Sequence, residues 1–309
     1  MSSLFFLFAY GAIAVSLVIA LCKIRHYLGN PAHVRWELYP VAHEGKKASY
    51  GGSFMEETDW WTKSRHTSLV GELKGFLMEA LFLHATFEHN IKLWLRTYPF
   101  HFGIYMLFGG VFLTVITTVA QIAGIAPGGM MHFFARVVNA ISLFGLLGIL
   151  GGSIALIMRR RNDPGLRKYT SNEHYLNLGL FALFAVLGLL AWTCSSQSFH
   201  ALTQAFFNSL FTFKFAPSAS CFFMLHVLVG LLLIMWIPVG HMGHVFMKYF
   251  TYHDIRWGDE PTVYSDKFKK AIGKALQYPV SWSAPHIKGE GKKTWVDIAT
   301  TNPAKPKED

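Results

Sequence analysis

The chain has 309 residues, of which 52% are hydrophobic and 15% charged, and its formal net charge is +10. The apolar residues gather into long runs, which excludes an ordinary water-soluble domain. The basic residues lie between those runs with no aromatic interleaving, which excludes nucleic acid as their partner.

Five runs stand out: Leu4–Cys22, Phe100–Ile122, His132–Met158, Tyr175–Cys194 and Ala219–Met247. Each is long enough to cross a hydrocarbon core of about 30 Å, which takes roughly 20 helical residues. Backbone groups in lipid must be satisfied within their own segment, so the runs are read as helices. The expectation is an all-α, five-span transmembrane bundle over residues 1–250, with a soluble cytoplasmic tail over 251–309. No Lys or Arg precedes the first run; Lys23 and Arg25 follow it. That order fits a retained first span and not a signal peptide.

Of the 28 Lys and Arg residues, ten lie between Lys23 and Pro99, five between Arg159 and Glu173 and eleven between Lys248 and Asp309. The positive-inside rule puts these three segments in the cytoplasm of a multi-pass protein of the cytoplasmic membrane. The N-terminus then faces outward and the C-terminus inward.

After the first run, NPAH and EGKKASYGG read as loops. From about Thr67, Leu73, Phe76, Leu77, Ala80, Leu83 and Phe87 recur at three- and four-residue spacing. This predicts one amphipathic helix on the cytoplasmic surface, leading into span two. His84 and His89 on it are expected at the surface. Span three opens with His132, Arg136 and Asn139 on one helix face. An Arg inside a span is costly and marks function, so Arg136 is a candidate for holding a haem propionate or a quinone oxygen. The loop from Ser195 to Ser218 contains FHALTQAFFNSLFTFKF, which predicts a short interfacial helix. Cys194 and Cys221 both fall on the outer side, either as a disulfide or as two separate buried thiols. None of the three cysteines forms CxxC, so the chain holds no iron–sulfur cluster or c-type haem attachment of its own. The tail is expected to lack a core and to end in a disordered PAKPKED.

The fifth run carries His226, His241 and His244. His226 and His244 are 18 residues apart, which is five full turns of a continuous helix at about 100° per residue. They would share a face and be separated by roughly 27 Å, one toward each side of the membrane. His241 lies about 60° off that face and is the alternative to His244. In span two, PFHFGIYMLFGG places His101 at a depth matching His244. Two imidazoles facing one another across a bundle fit a six-coordinate b-type haem. Gly103, Gly109 and Gly110 would let the macrocycle approach the backbone. At the outer end, His226 would need a partner such as His132 or His200. The bland reading is that each histidine is a hydrogen-bonded packing residue. The matched depths favour at least one haem and leave the second open.

The amphipathic GFLMEALFLH, the PFHFGIYMLFGG stretch, LHVLVGLLLIMWIPVGHMGH and KYFTYHDIRWGDEP together resemble the nitrate reductase gamma-subunit family of five-span b-type cytochromes. The resemblance covers roughly Gly75–Pro261. It is strongest to the branch that accompanies a heterodisulfide-reductase-like iron–sulfur subunit in menaquinone-linked complexes. It implies His226 as the outer ligand, His244, six residues after Pro238, as the inner one, and His101 as the inner partner. The family pattern has a second histidine ten residues after the first in span two, and here that position is Val111. The implied function is electron transfer between menaquinone or menaquinol and the iron–sulfur partner through haem b, in a complex with further subunits. Two other classes remain: a histidine-bearing transporter, for which no carboxylate is convincingly placed in a span, and an inert membrane anchor.

Overall fold

The computed structural model describes residues 2–29, 57–59, 62–63, 68–215, 220–247, 266–284, 287 and 289–302. Among them the chain is helical, with one isolated bridge between Pro279 and Thr294. The helices are α1 (Ser2–Gly29), α2 (Leu69–Phe82), α3 (His84–His89), α4 (Ile91–Ile122), α5 (Gly129–Asn162) and α6 (Pro164–Tyr169). They continue as α7 (Asn172–Cys194), α8 (Phe199–Thr212), α9 (Cys221–Trp236), α10 (Asp266–Leu276) and α11 (Trp295–Thr300). Helices α1, α4, α5 and α7 are long and apolar enough to cross a membrane. A fifth span is formed if α9 is taken with His241–Met247 beyond a break. The all-α architecture and the multi-pass character agree with the composition. The loop signals at 30–52, the segment KYFTYHDIRWGDEP and the terminal PAKPKED lie outside the described residues.

The chain divides into two compact units, Met1–Ile19 with Leu77–His241, and Ala20–Phe76 with Met242–Asp309. In the first, α4 lies along α5, α5 along α7 and α7 along α9, while α8 covers α4 and α5. The α4–α5 contact is backbone on backbone. A methyl group at Gly103 would sit 2.5 Å from the Gly145 carbonyl, and one at Gly152 would sit 2.6 Å from Phe100 Cβ. Small residues at this seam replace the hydrophobic drive that lipid removes. Helix α1 lays Phe6, Ala9 and Ala12 against Leu210 of α8 and Leu231 of α9. Two polar bonds fix it: Tyr10 Oη donates to the Leu210 carbonyl at 2.5 Å and Ser16 Oγ to the Ile234 carbonyl at 2.8 Å.

The approach to α4 is not the single helix expected. Leu83 adopts a left-handed backbone, φ 51°, and splits it into α2 and α3. That conformation costs a branched residue roughly 1–2 kcal/mol. The carbonyls it exposes at the end of α2 are taken up by α4: Tyr105 Oη donates to Ala80 at 2.5 Å and Trp94 Nε1 to Phe82 at 2.8 Å. Helix α4 itself starts well before Phe100 because the Asn90 side chain accepts the Leu93 amide at 3.0 Å and caps it.

In the second unit, the C-terminal part has a small core, contrary to expectation. Val280 is buried, its amide bonds to the Lys293 carbonyl at 2.8 Å, and its own carbonyl accepts from Gly291 at 2.8 Å. The Trp282 and Trp295 rings meet edge-on with centroids 6.3 Å apart. The Thr294 amide and hydroxyl both donate to Asp297 and hold its carboxyl below the usual carboxylate range.

Candidate functional site

His101 lies two residues beyond Pro99 inside α4 and is half-buried. Its Nδ1 is 2.9 Å from the Thr97 carbonyl and 3.3 Å from Thr97 Oγ1. A carbonyl can only accept, so Nδ1 is the donor in that bond. Gly103 is two residues on, about 200° around the helix, and faces α5. Gly110 also serves that seam, where a methyl group would come within 3.7 Å of Ile141 and Ser142; a methyl at Gly109 would meet nothing within 4 Å. Gly103 and Gly110 therefore seat α5 and do not clear room for a macrocycle. The His101 side of α4 carries Phe108 and Phe112 instead, each 66% exposed.

His226 is the buried member of the set, 7% exposed in α9. Its Nδ1 donates to the Phe184 carbonyl of α7 at 2.8 Å, leaving Nε2 as the lone-pair nitrogen. The ring stacks on Phe184 with centroids 4.0 Å apart and meets Phe199 edge-on at 5.6 Å. Gly188 lies against its Cε1 and Nδ1.

Beyond Trp236 the helix breaks. Residues 237–240 form a turn, His241–Gly243 a 3-10 turn, and helix resumes at His244. Pro238 has no N–H to continue the ladder, and Gly240 follows it. The 18-residue spacing of His226 and His244 is therefore not five uninterrupted turns. His244 is exposed and belongs to the second unit, whereas His101 and His226 belong to the first. His241 is exposed, hydrogen-bonded through Nδ1 to Glu173 Oε1 at 3.1 Å, with its ring 4.9 Å from that of His174.

His132 is exposed near the start of α5, and Arg136, one turn on, is exposed too. Asn139 points inward and accepts the His200 amide at 2.9 Å. His200 is buried, with Nε2 3.3 Å from Thr117 Oγ1 of α4. The His200 ring and amide thus pin the start of α8 to α4 and α5. The sequence puts His200 in the short helix expected within the outer loop but does not show these contacts, because both partners are distant in the chain. Val111 is exposed. His84 is at the surface as expected, 3.1 Å from Glu88, and so is His89. Cys194 and Cys221 are separate, exposed thiols.

Histidines whose Nδ1–H is committed to a backbone carbonyl are the donor type that haem iron takes. The bond fixes the tautomer and ring plane and raises the basicity of Nε2. His101 and His226 both fit that description. Among the described residues, no three His, Cys, Asp or Glu side chains converge on a metal ion.

The family model of the nitrate reductase gamma subunit matches residues 85–258, more than half of the chain. The matched stretch holds His101, His132, Arg136, His226 and His244. No curated protein and no solved structure matches. The chain belongs to the nitrate reductase gamma subunit family, membrane b-type cytochromes of multi-subunit, quinone-linked respiratory complexes.

Proposed function

We propose that this chain carries electrons between menaquinone or menaquinol and a cytoplasmic iron–sulfur subunit resembling heterodisulfide reductase. Its N-terminus faces outward and its C-terminus the cytoplasm. His101 and His244 hold an inner b-type haem. His226 is a ligand at the outer end, where His132 and His200 are the histidines on offer as its partner. Arg136 serves a propionate or the quinone oxygen. A haem held between two imidazoles supplies a one-electron carrier with no open coordination position.

The observation that carries this reading is the shared bond of His101 and His226. Each commits Nδ1 to a backbone carbonyl, at 2.9 Å and 2.8 Å, the bond that orients a ligating imidazole. His244 is assigned over His241 because it stands six residues after Pro238, as the family pattern has it, whereas His241 is tied to Glu173. The three basic segments support the orientation and supply the surface on which an iron–sulfur partner docks. The purified chain should give a b-type pyridine haemochrome, and His101→Ala should abolish its inner component. A colourless chain would overturn the reading.

A further inference from the structure

The His226 ring reaches a carbonyl that is already in use. Within α7, the Phe184 carbonyl faces the amide of the residue four positions on, Gly188. His226 Nδ1 approaches the same oxygen from outside the helix, at 2.8 Å. The approach is open because position 188 has no side chain. A methyl group there would stand 2.9 Å from His226 Cε1 and Nδ1 and 2.7 Å from Leu146 Cδ2 of α5. Real Cβ atoms do not tolerate such contacts, and a core packed this closely has little slack. Gly188 is itself buried, and Phe184 covers the ring face at 4.0 Å.

We infer that Gly188 is a positioning residue for His226: a notch in α7 that admits the imidazole to the Phe184 carbonyl and thereby fixes its tautomer, its plane and the direction of Nε2. This rests on the reading of His226 as an iron ligand. It assigns the control of that ligand to a residue that touches no cofactor. Phe184 contributes a carbonyl, which mutation of its side chain cannot remove, so Gly188 is the position at which the bond can be broken. Loss of the Nδ1–H bond makes the imidazole a weaker donor, which favours the reduced metal and raises its midpoint potential.

The test uses the full chain, purified from membranes, with optical redox titration and low-temperature electron paramagnetic resonance. Gly188→Ala should move one b-type component to higher potential and shift its low-spin signal, with the His101-dependent component unchanged. Gly188→Ala combined with Leu146→Ala makes room on the α5 side, keeps the clash with His226, and should show the same shift if the single variant folds poorly. Gly179→Ala, on the same helix with nothing within 4 Å, should change neither readout. If His226→Ala removes a component while both Gly188 variants leave it at its wild-type potential and signal, the inference is overturned and the ligand survives. If His226→Ala changes no component, the ligand reading itself falls, and the positioning role with it.

Discussion

A histidine in an apolar bundle has to place its N–H somewhere, and His226 does so on a carbonyl 42 residues earlier in the chain. The histidine is visible in the sequence because the residue is rare in lipid-facing helices. Its partner is invisible because a backbone carbonyl has no residue identity and Phe184 reads as one more apolar position. Gly188 was equally silent among the small residues of span four. The same holds for the bond from Trp236 Nε1 to Asn177 Oδ1 at 2.7 Å, which ties the last turn of α9 to the start of α7. Asn177 is buried and its Nδ2 has no partner among the described residues, so that indole is its one side-chain tie. Trp236→Phe leaves the amide stranded, which costs about 1–3 kcal/mol. The purified protein should melt at lower temperature with its haem content retained, and an unchanged melting temperature would count against the tie.

Helices were legible wherever an unbroken apolar run exceeded the membrane thickness, as in α1, α5 and α7. Their ends were not, since Ile91 and Asn162 fall in polar sequence where caps decide and apolarity does not. The break after Trp236 had a signal in Pro238 and Gly240, which the histidine spacing overrode. The split at Leu83 had none, because leucine gives no hint of a left-handed backbone. Two of the glycines of α4, Gly103 and Gly110, face α5: at Gly103 a methyl would meet the Gly145 carbonyl at 2.5 Å and the Ile149 amide at 2.9 Å. Backbone atoms cannot step aside, so Gly103→Ala should cost roughly 1–3 kcal/mol or more and lower the yield of haem-loaded protein. Gly109→Ala, with nothing within 4 Å, should be tolerated. Equal yields for the two variants would contradict the backbone seam.

At the scale of the molecule, charge and apolarity divide the work. The spans carry two basic residues at most between them and their outer loops, and the remaining 26 lie in three segments assigned to the cytoplasmic side. In the proposed function the electron passes between quinone and a second chain, and those segments are where such a chain would dock. Ending the chain after Lys248 should release a co-purified iron–sulfur partner while the b-type spectrum remains. A partner that stays bound would move the docking surface elsewhere. The central claim is that iron sits between imidazoles of this chain. Haem per polypeptide, measured by pyridine haemochrome on the wild type and on His101→Ala and His244→Ala, tests it most directly. The account predicts at least one b-type haem per chain and loss of the same inner component in both variants; an identical haem content in all three would contradict it.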